Sequence, residues 1–380
     1  MTAKKAEAKG AGLQNLIRDL VKKHGSPLML IFTDELEKQF FRFKRYLNNV
    51  DPFYAIKANP HPEIIKTFIK LGAGVDVASA AEMKKVLGLG ADPEKIIFAN
   101  TIKSPEDIEF SFKAGVDLMT FDNEPELYKI AKHCPRARVL VRLKVTNEGS
   151  TVELSRKFGA DPDQAIFWLN KAKSLGLTPV GIAFHVGSQC VRVDNYLKSL
   201  DICSFLFSEA EKIGIKLSIL DIGGGFPIKY FEDDNHICFP DMAVQIRRKL
   251  KRLFKKDIRF IAEPGRFFSG PAGVLVTQVV GRAFRDNRNY YYLNDGVYGD
   301  FSGVVFDHCR YQFHSLKRGQ KFLSTLAGPT CDSFDTISLN EELPELEVGK
   351  IVYVKNIGAY SCASAVAGFN GFQPAKIIIL

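Results

Sequence analysis

The chain has 380 residues, which is enough for one large α/β barrel and a smaller second domain. Its apolar fraction of 46% and charged fraction of 25% are typical of a soluble globular protein, and no apolar run approaches the ~20 residues of a transmembrane helix. The formal net charge is +9, with much of the positive charge in 247–256. Apolar residues at helical spacing there predict an amphipathic helix with a solvated basic face. We expect neither a nucleic-acid partner nor a membrane, since no stacking platform or nucleic-acid motif accompanies that face.

The seven cysteines are scattered singly along the chain and form no Cys-x-x-Cys pair. An odd number of unpaired thiols in a chain of this size favours a reducing cytosol. Two of them directly follow a histidine, in His133-Cys134 and His308-Cys309, which is not the spacing of a zinc ligand set. We therefore expect a cytoplasmic protein without a metal site.

Apolar spacing predicts a helix over 13–23, a strand over 28–32, and a second helix from Thr33 or Asp34 to about Leu47. Residues 1–10 are basic without a following apolar segment, so we expect a frayed tail rather than a secretory signal. Short apolar strands then alternate with segments of helical spacing. The predicted strands are 53–56, 74–78, 95–99, 118–121, 138–143, 180–184, 217–222 and 258–262. Eight strands alternating with helices predict a (β/α)8 barrel of the TIM type.

Polar and ionisable residues stand at the ends of these strands. In chain order they are Lys57, Asp76 to Ser79, Asn100, Asp122, Arg142, His185, Asp221 and Glu263. In a parallel barrel these positions share the C-terminal face, where active sites lie.

After Arg266 the alternation of strand and helix stops. Strands are predicted over 273–281, 289–294, 302–306, 320–327 and 348–356, with turn residues between them. This pattern predicts a second, mostly β domain. We assign 1–32 to a helix and strand that join the β domain, 33–266 to the barrel, and 267–380 to the C-terminal β domain.

Lys57 stands at the end of the apolar strand 53–56, and Asn59-Pro60 ends the regular structure at once. A poorly solvated ammonium has a lowered pKa and can form a Schiff base with a carbonyl. A lone lysine in such a position is more often an ordinary surface residue, so its interpretation depends on the rest of the chain.

Three other groups complete the predicted constellation. Gly223-Gly224-Gly225 follows a strand and either lets backbone N–H groups approach a phosphate or only serves a tight turn. Glu263 can bind a protonated ring nitrogen, with Gly265 and Arg266 beside a phosphate, or can form a surface ion pair with Arg266. His185 can stack on an aromatic cofactor or be a core histidine. Together with the barrel and Lys57, they indicate pyridoxal 5′-phosphate.

Seven motifs in order, from about residue 28 to the C-terminus, resemble those of the ornithine decarboxylase family, the fold-type III, alanine-racemase-like decarboxylases. The motifs are Tyr54-Ala-Ile-Lys-Ala-Asn59, His185-Val-Gly-Ser188, Asp221-Ile-Gly-Gly-Gly-Phe-Pro227, Glu263-Pro-Gly-Arg266, Asn294-Asp-Gly-Val-Tyr-Gly299, Gly328-Pro-Thr-Cys-Asp-Ser333 and Gly358-Ala-Tyr360.

The resemblance implies that Lys57 carries the cofactor, Glu263 holds the protonated ring nitrogen, and His185 stacks on the ring. It further implies that Cys331 protonates Cα after CO2 is lost. The residues implied to bind the cofactor are Lys57, Asp76, Ala78, Arg142, His185, Ser188, Gly223, Gly224, Gly225, Glu263, Gly265, Arg266 and Tyr360.

The resemblance also implies a head-to-tail homodimer in which Cys331 and Asp332 enter the partner's site. Asp307 and Asp332, with Tyr298 and Phe369, would bind the substrate, and their carboxylates would pair with a distal ammonium. The expected reaction is decarboxylation of L-ornithine to putrescine. Lysine or arginine as the substrate, and a non-catalytic relative of the antizyme-inhibitor kind, are the alternatives.

Overall fold

The computed structural model describes residues 3–231, 233–234 and 238–380. It divides into two compact units, one formed by Asp34–Lys229 and Asp233–Ser269, the other by the N-terminal segment up to Thr33, a short piece at Tyr230, and Gly270–Leu380. No helix within the described ranges has the length and apolar content needed to cross a membrane.

The helices begin and end at defined residues along the chain. They are α1 Ala3–His24, α2 Thr33–Tyr46, α3 Pro62–Lys70, α4 Ala80–Gly88, α5 Pro105–Lys113, α6 Glu124–His133, α7 Ala165–Ser174, α8 Val193–Lys212, α9 Phe239–Leu253, α10 Arg266–Ser269 and α11 Gly303–Phe306.

The strands follow in the same order. They are β1 Leu28–Ile31, β2 Val50–Ala55, β3 Gly74–Val77, β4 Ile96–Phe98, β5 Leu118–Phe121, β6 Arg138–Leu143, β7 Thr178–Phe184, β8 Ile219–Asp221, β9 Arg259–Ala262, β10 Gly273–Arg285, β11 Arg288–Leu293, β12 Phe313–Ser315, β13 Lys321–Ala327, β14 Thr336–Pro344, β15 Ile351–Lys355 and β16 Lys376–Ile379.

Strands β2–β9 form the predicted closed parallel barrel, each paired with the next and β9 with β2. Its strands are almost entirely buried, as parallel strands covered by helices must be. Helix starts are fixed by local capping. The side chains of Ser79, Ser104 and Asn123 each accept a hydrogen bond from the N–H three residues later. These caps end the loops at the C-terminal face and so set the positions of the polar residues that the loops carry.

An aromatic cluster packs behind the loops that follow β8 and β9. Phe43 of α2 lies 5.4 Å from Phe226 and 5.7 Å from Phe268, measured between ring centroids. The rings of Phe239 and Phe267 approach to 4.2 Å. Each fully buried phenylalanine stabilises the fold by roughly 1.5–3 kcal/mol. Because Phe226 follows the three glycines and Phe267 follows Arg266, this cluster anchors both loops.

The second unit is the predicted mostly β domain. Its main sheet has the order β12-β15-β10-β11-β13-β14, and β1 pairs antiparallel with β10 and parallel with β16. Helix α1 packs Ile17 against this sheet near Leu28, Val276 and Tyr353. The N-terminal helix and strand thus join the sheet that is formed by the C-terminal third of the chain.

Two sequence predictions of local structure are wrong. The segment 302–306 is not a strand but the end of a 3-10 turn followed by α11, although Val304, Val305 and Phe306 favour a strand by propensity. Gly303 is buried, and a Cβ there would lie 2.6 Å from the hydroxyl of Tyr311, so tertiary packing decides the conformation. The predicted tail is helical from Ala3 onward, while Met1 and Thr2 lie outside the described residues.

Three strands were missed by the sequence pattern, namely β12, β14 and β16. Strand β12 has three residues, and β14 carries two adjacent acidic residues, Glu341 and Glu342, among its nine. Both are therefore weak signals on their own. Pairing with β15 and β13 provides their hydrogen bonds.

Candidate active site

Lys57 and Asp76 meet at the C-terminal mouth of the barrel. Lys57 lies in a 3-10 turn directly after β2, and its Nζ donates to Oδ2 of Asp76 at 3.0 Å. Asp76 is 2% exposed, whereas the Lys57 side chain is 46% exposed. The sequence argument from a poorly solvated ammonium is therefore wrong. A buried carboxylate partner, not desolvation, fixes this lysine.

Two further carboxyl groups end neighbouring strands, Asp221 on β8 and Glu263 just after β9. Burial raises the pKa of the Asp221 carboxyl to about 7, although its Oδ1 accepts the Gly223 N–H at 2.8 Å. Burial, followed by the negative charges of Asp221 and Asp76, raises the pKa of Glu263 well above its usual range. A cation placed against Glu263 would reverse this effect.

His185 follows β7 and is held as a neutral imidazole. Its Nδ1 accepts the N–H of Gly187 at 3.0 Å, which places the ring proton on Nε2. Burial and the positive charges of Arg142 and Lys57 lower the pKa of His185 well below its usual range. Asn147 donates to the His185 carbonyl at 3.1 Å, so the backbone is fixed as well as the ring.

The loop Gly223–Gly225 requires glycine at each position. Gly223 and Gly225 have φ values of +66° and +93°, which side chains rarely adopt. A Cβ at Gly224 would lie 2.6 Å from the Glu263 carbonyl oxygen and 3.1 Å from Nε2 of His185. Within the described part of the chain, the N–H groups of Gly224 and Gly225 donate to no protein atom. The loop is therefore a concave backbone surface with unused donors.

Arg266 and Ser188 supply the polar side chains beside these glycines. Arg266 is 4% exposed, and its Nη2 donates to Oγ of Ser188 at 3.1 Å. Unused N–H donors, a buried guanidinium and a hydroxyl fit the phosphate of a cofactor, while Glu263 and Asp221 fit a protonated ring nitrogen. The residues of the barrel thus fit pyridoxal 5′-phosphate.

The other predicted cofactor residues of the barrel have these surroundings. The N–H of Ala78 donates to Glu82 at 2.6 Å. A Cβ at Gly265 would lie 2.9 Å from the Cβ of Ala58, so only glycine allows this close approach. Burial lowers the pKa of the Arg142 guanidinium, against the opposing effect of Glu263 and other acids.

The β unit groups three of the predicted substrate residues. Tyr298 donates its hydroxyl to Oδ2 of Asp332 at 2.5 Å, and its ring stacks on Phe369 with centroids 4.1 Å apart. The Phe334 N–H donates to Oδ1 of Asp332 at 3.0 Å. These two bonds lower the pKa of Asp332, so the group is an anion near neutral pH.

Three predicted residues of the β unit remain. Cys331 is exposed, and both its N–H and its thiol lie against Oδ1 of Asn370, at 3.2 and 3.4 Å. Asp307 is half-buried and directly follows α11. Tyr360 has a φ of +51°, an uncommon value for a tyrosine. The roles of these residues toward cofactor and substrate stay predictions.

Comparison with known families identifies the barrel. Residues 33–270 match the family described as pyridoxal-dependent decarboxylase, pyridoxal binding domain. The chain belongs to the pyridoxal-dependent decarboxylases. The predicted family, cofactor and barrel fold are confirmed by this match and by the closed eight-stranded barrel.

Relatives of this decarboxylase extend over nearly the whole chain. A lysine/ornithine decarboxylase of Selenomonas ruminantium is 39% identical over 96% of this chain and 92% of its own length. An ornithine decarboxylase of Schizosaccharomyces pombe is 38% identical over 90% of this chain and 81% of its own length. The crystal structure of a Paramecium bursaria Chlorella virus arginine decarboxylase bound to agmatine has a TM-score of 0.91, at 33% identity, covering 97% of this chain and all of that one.

Sequence reasoning missed four residues that organise the decarboxylase's candidate site. Asp221 was noted as a strand end but not as the acidic neighbour that raises the pKa of Glu263. Its position before three glycines was a usable signal. Tyr196 donates its hydroxyl to the Gly224 carbonyl at 2.7 Å, from a helix 28 residues away. Asn147 and Asn370 act through hydrogen bonds across loops, which no local pattern indicates.

Proposed function

We propose that this protein decarboxylates L-ornithine to putrescine and CO2 in the cytosol, with pyridoxal 5′-phosphate bound at the C-terminal mouth of the barrel. The observation that supports the site is the set of Lys57, Asp76, His185 and Glu263 beside the Gly223–Gly225 loop. Bound pyridoxal phosphate supplies an electron-withdrawing ring that stabilises the negative charge left at Cα when CO2 departs. All seven cysteines are free thiols, which agrees with a reducing compartment.

Glu263 holds a proton at the ring nitrogen. Its carboxylate is disfavoured without a nearby cation, because it is enclosed and lies near Asp221 and Asp76. A protonated nitrogen restores the carboxylate, and the two charges stabilise one another in a low-dielectric site. Neutral His185 presents a flat face to the ring without adding a positive charge that would compete with this pair.

Lys57 binds the cofactor, and Asp76 receives the lysine ammonium when the substrate amine takes its place. The 3.0 Å contact between Lys57 Nζ and Asp76 provides this partner. The phosphate is bound by Arg266, Ser188 and the N–H groups of Gly224 and Gly225. The cofactor is thus held at Lys57 and at its phosphate, and this fixes the orientation of the bond between Cα and the departing carboxylate.

A second copy of the chain completes the site in this proposal, and the protein is a head-to-tail homodimer. Cys331 and Asp332 are adjacent in one loop, so a single loop presents both a proton donor and an anion. The lowered pKa of Asp332 suits it to bind the distal ammonium of a basic amino acid. Asp307 is the second carboxylate for that ammonium, and Tyr298 and Phe369 line the same subsite.

Ornithine is favoured by the family pattern, in which an aspartate at position 307 accompanies that substrate. The relative that acts on both lysine and ornithine supports lysine as the second candidate. One methylene is worth only about 1–3 kcal/mol, so loop position alone can change the preference. A non-catalytic binding protein is disfavoured because Lys57, Asp76, Glu263 and Cys331 are all retained.

The deciding experiment measures CO2 release and kcat/KM with ornithine, lysine, arginine and diaminopimelate. We expect ornithine to rank first, lysine second, and arginine and diaminopimelate last, with activity dependent on pyridoxal phosphate. The Lys57→Ala variant is the inactive control. A higher kcat/KM for lysine or arginine would replace the substrate and leave the decarboxylase assignment intact. No CO2 from any of the four would overturn both.

A further inference from the structure

Asn370 holds the Cys331 loop through two hydrogen bonds to one oxygen. Its Oδ1 accepts the Cys331 N–H at 3.2 Å and lies 3.4 Å from the Cys331 sulfur, whose S–H points to it as a donor. Asn370 has a φ of +50°, in the left-handed region where glycine is easiest to accommodate. An asparagine is present here, and its side-chain oxygen makes both contacts.

The turn that carries Asn370 is itself fixed. Phe369 stacks on Tyr298 at 4.1 Å, and Tyr298 donates to Asp332, the neighbour of Cys331. The N–H of Phe372 donates to the Phe369 carbonyl at 3.1 Å. The cysteine loop and the Asn370 turn therefore hold each other at two points. This closed arrangement fixes the position of the Cys331 sulfur.

We propose that Asn370 is a positioning residue that holds the Cys331 loop and its sulfur in place, so that the thiol proton, once it turns away from Asn370, is delivered to Cα and the product is an amine. This inference rests on the proposed function, in which Cys331 is the proton donor. When CO2 leaves, the electron pair remaining at Cα takes the thiol proton, and the resulting thiolate recovers a proton from water. Asn370 touches neither substrate nor cofactor in this scheme and acts only through Cys331.

A misaimed thiol has a distinct chemical outcome. The proton can instead reach the cofactor carbon that is bonded to the substrate nitrogen. Water then cleaves the bond between that nitrogen and the former Cα. The former Cα carbon leaves as 4-aminobutanal, and the cofactor leaves as pyridoxamine phosphate. The substrate carbon is oxidised by two electrons and the cofactor is reduced by two, so no other oxidant is required. CO2 release is unchanged by this partition.

The test variant is Asn370→Gly, which is compatible with the left-handed backbone and removes the side chain that carries the acceptor oxygen. Asn370→Asp retains an acceptor and is the conservative rescue. Asn287→Gly is the matched control, since Asn287 is another exposed left-handed asparagine, with φ +56°, in the β10–β11 turn. Products are quantified by mass spectrometry after about one hundred turnovers per active site. This number is chosen so that about a tenfold rise in a minor product can be detected.

We expect the ratio of 4-aminobutanal to putrescine to rise at least about tenfold in Asn370→Gly, with gradual inactivation that fresh pyridoxal phosphate reverses. Asn370→Asp should return most of the flux to putrescine, and Asn287→Gly should match the wild type. An unchanged product ratio in Asn370→Gly overturns the proposal, as does an equal rise in Asn287→Gly.

A second measurement does not depend on turnover. Iodoacetamide labelling of Cys331, followed by peptide mass spectrometry, should be at least about threefold faster in Asn370→Gly, because the sulfur has lost its hydrogen-bond partner. Equal labelling rates in wild type and variant would also overturn the proposal. If labelling is faster in the variant but the wild type forms no amine from any tested amino acid, the hydrogen bond between Asn370 and Cys331 is supported and the proposed function is refuted. Asn370→Ser replaces the glycine variant if that protein does not fold.

Discussion

Replacing Asp221 by asparagine tests the electrostatic account of the barrel site in the cofactor-free protein. Burial raises the pKa of this carboxyl from 3.8 to about 7, with Glu263 and Asp76 as acidic neighbours and Arg142 as a basic one. The folded protein therefore binds more protons than the unfolded chain between these two values. The free energy of unfolding must fall as the pH rises from about 4 to about 7.

The size of this effect follows from the pKa values. A difference from 3.8 to about 7, at about 1.4 kcal/mol for each pKa unit, gives on the order of 4 kcal/mol at pH 8. Asparagine keeps an oxygen that accepts the Gly223 N–H, so the loop geometry is retained. We expect Asp221→Asn to be more stable than the wild type at pH 8 by about 2 kcal/mol or more, with little difference at pH 4.

The assay is urea-induced unfolding of cofactor-free wild type and variant at pH 4, 5, 6, 7 and 8, at one protein concentration. His185 contributes in the opposite direction, because its lowered pKa makes stability rise as the pH approaches 6.5 from below. That contribution is common to both proteins and cancels in the difference. Parallel stability curves for the two proteins would refute the reasoning.

Three predictions test the catalytic assignments. Borohydride should fix pyridoxal phosphate on Lys57, and a labelled peptide from another lysine would contradict the barrel site. Glu263→Gln should lower kcat at least about 100-fold with a smaller change in KM, because the charge pair matters most as negative charge develops. An unchanged kcat would remove Glu263 from the ring nitrogen. Mixing Lys57→Ala and Cys331→Ala proteins, neither of which should form putrescine, should restore about a quarter of the wild-type rate of putrescine formation if each site uses both copies. No recovery after demonstrated subunit exchange would show that the sites are not shared.

The barrel was predictable because its signal is repeated eight times. Each strand is a short apolar run followed by a polar residue, and strands 118–121 and 138–143 have the predicted bounds. The segment 302–306 lacked such repetition. Its valines favoured a strand, but Gly303 packs closely against Tyr311 and the Tyr360 carbonyl, and the segment is helical. Periodicity is reliable where burial follows the local pattern, and it fails where a distant contact determines the backbone.

The residues of the candidate site were predictable where the residue type and its position after a strand are enough to indicate a chemical role. A lysine after an apolar strand and three consecutive glycines are visible in the sequence. The poor solvation inferred for Lys57 was wrong, because its side chain is 46% exposed. Its ion pair with Asp76 joins residues 19 positions apart and is not a local property. The coupling of Asp221 with Glu263 is likewise a consequence of neighbouring strands in the barrel.

Sequence motifs identify the predicted substrate residues, but they do not identify Asp335, the buried acid that holds the loops of those residues in place. This carboxylate is 2% exposed and accepts the N–H groups of Val297 at 2.8 Å and Thr330 at 3.1 Å. It thereby ties the loop of Tyr298 to the loop of Cys331 and Asp332. A Cβ at Gly296 or Gly328 would collide with the same carboxyl group. The glycines of the two motifs are thus explained by a buried acid outside them, and the geometry of the predicted substrate residues depends on that acid.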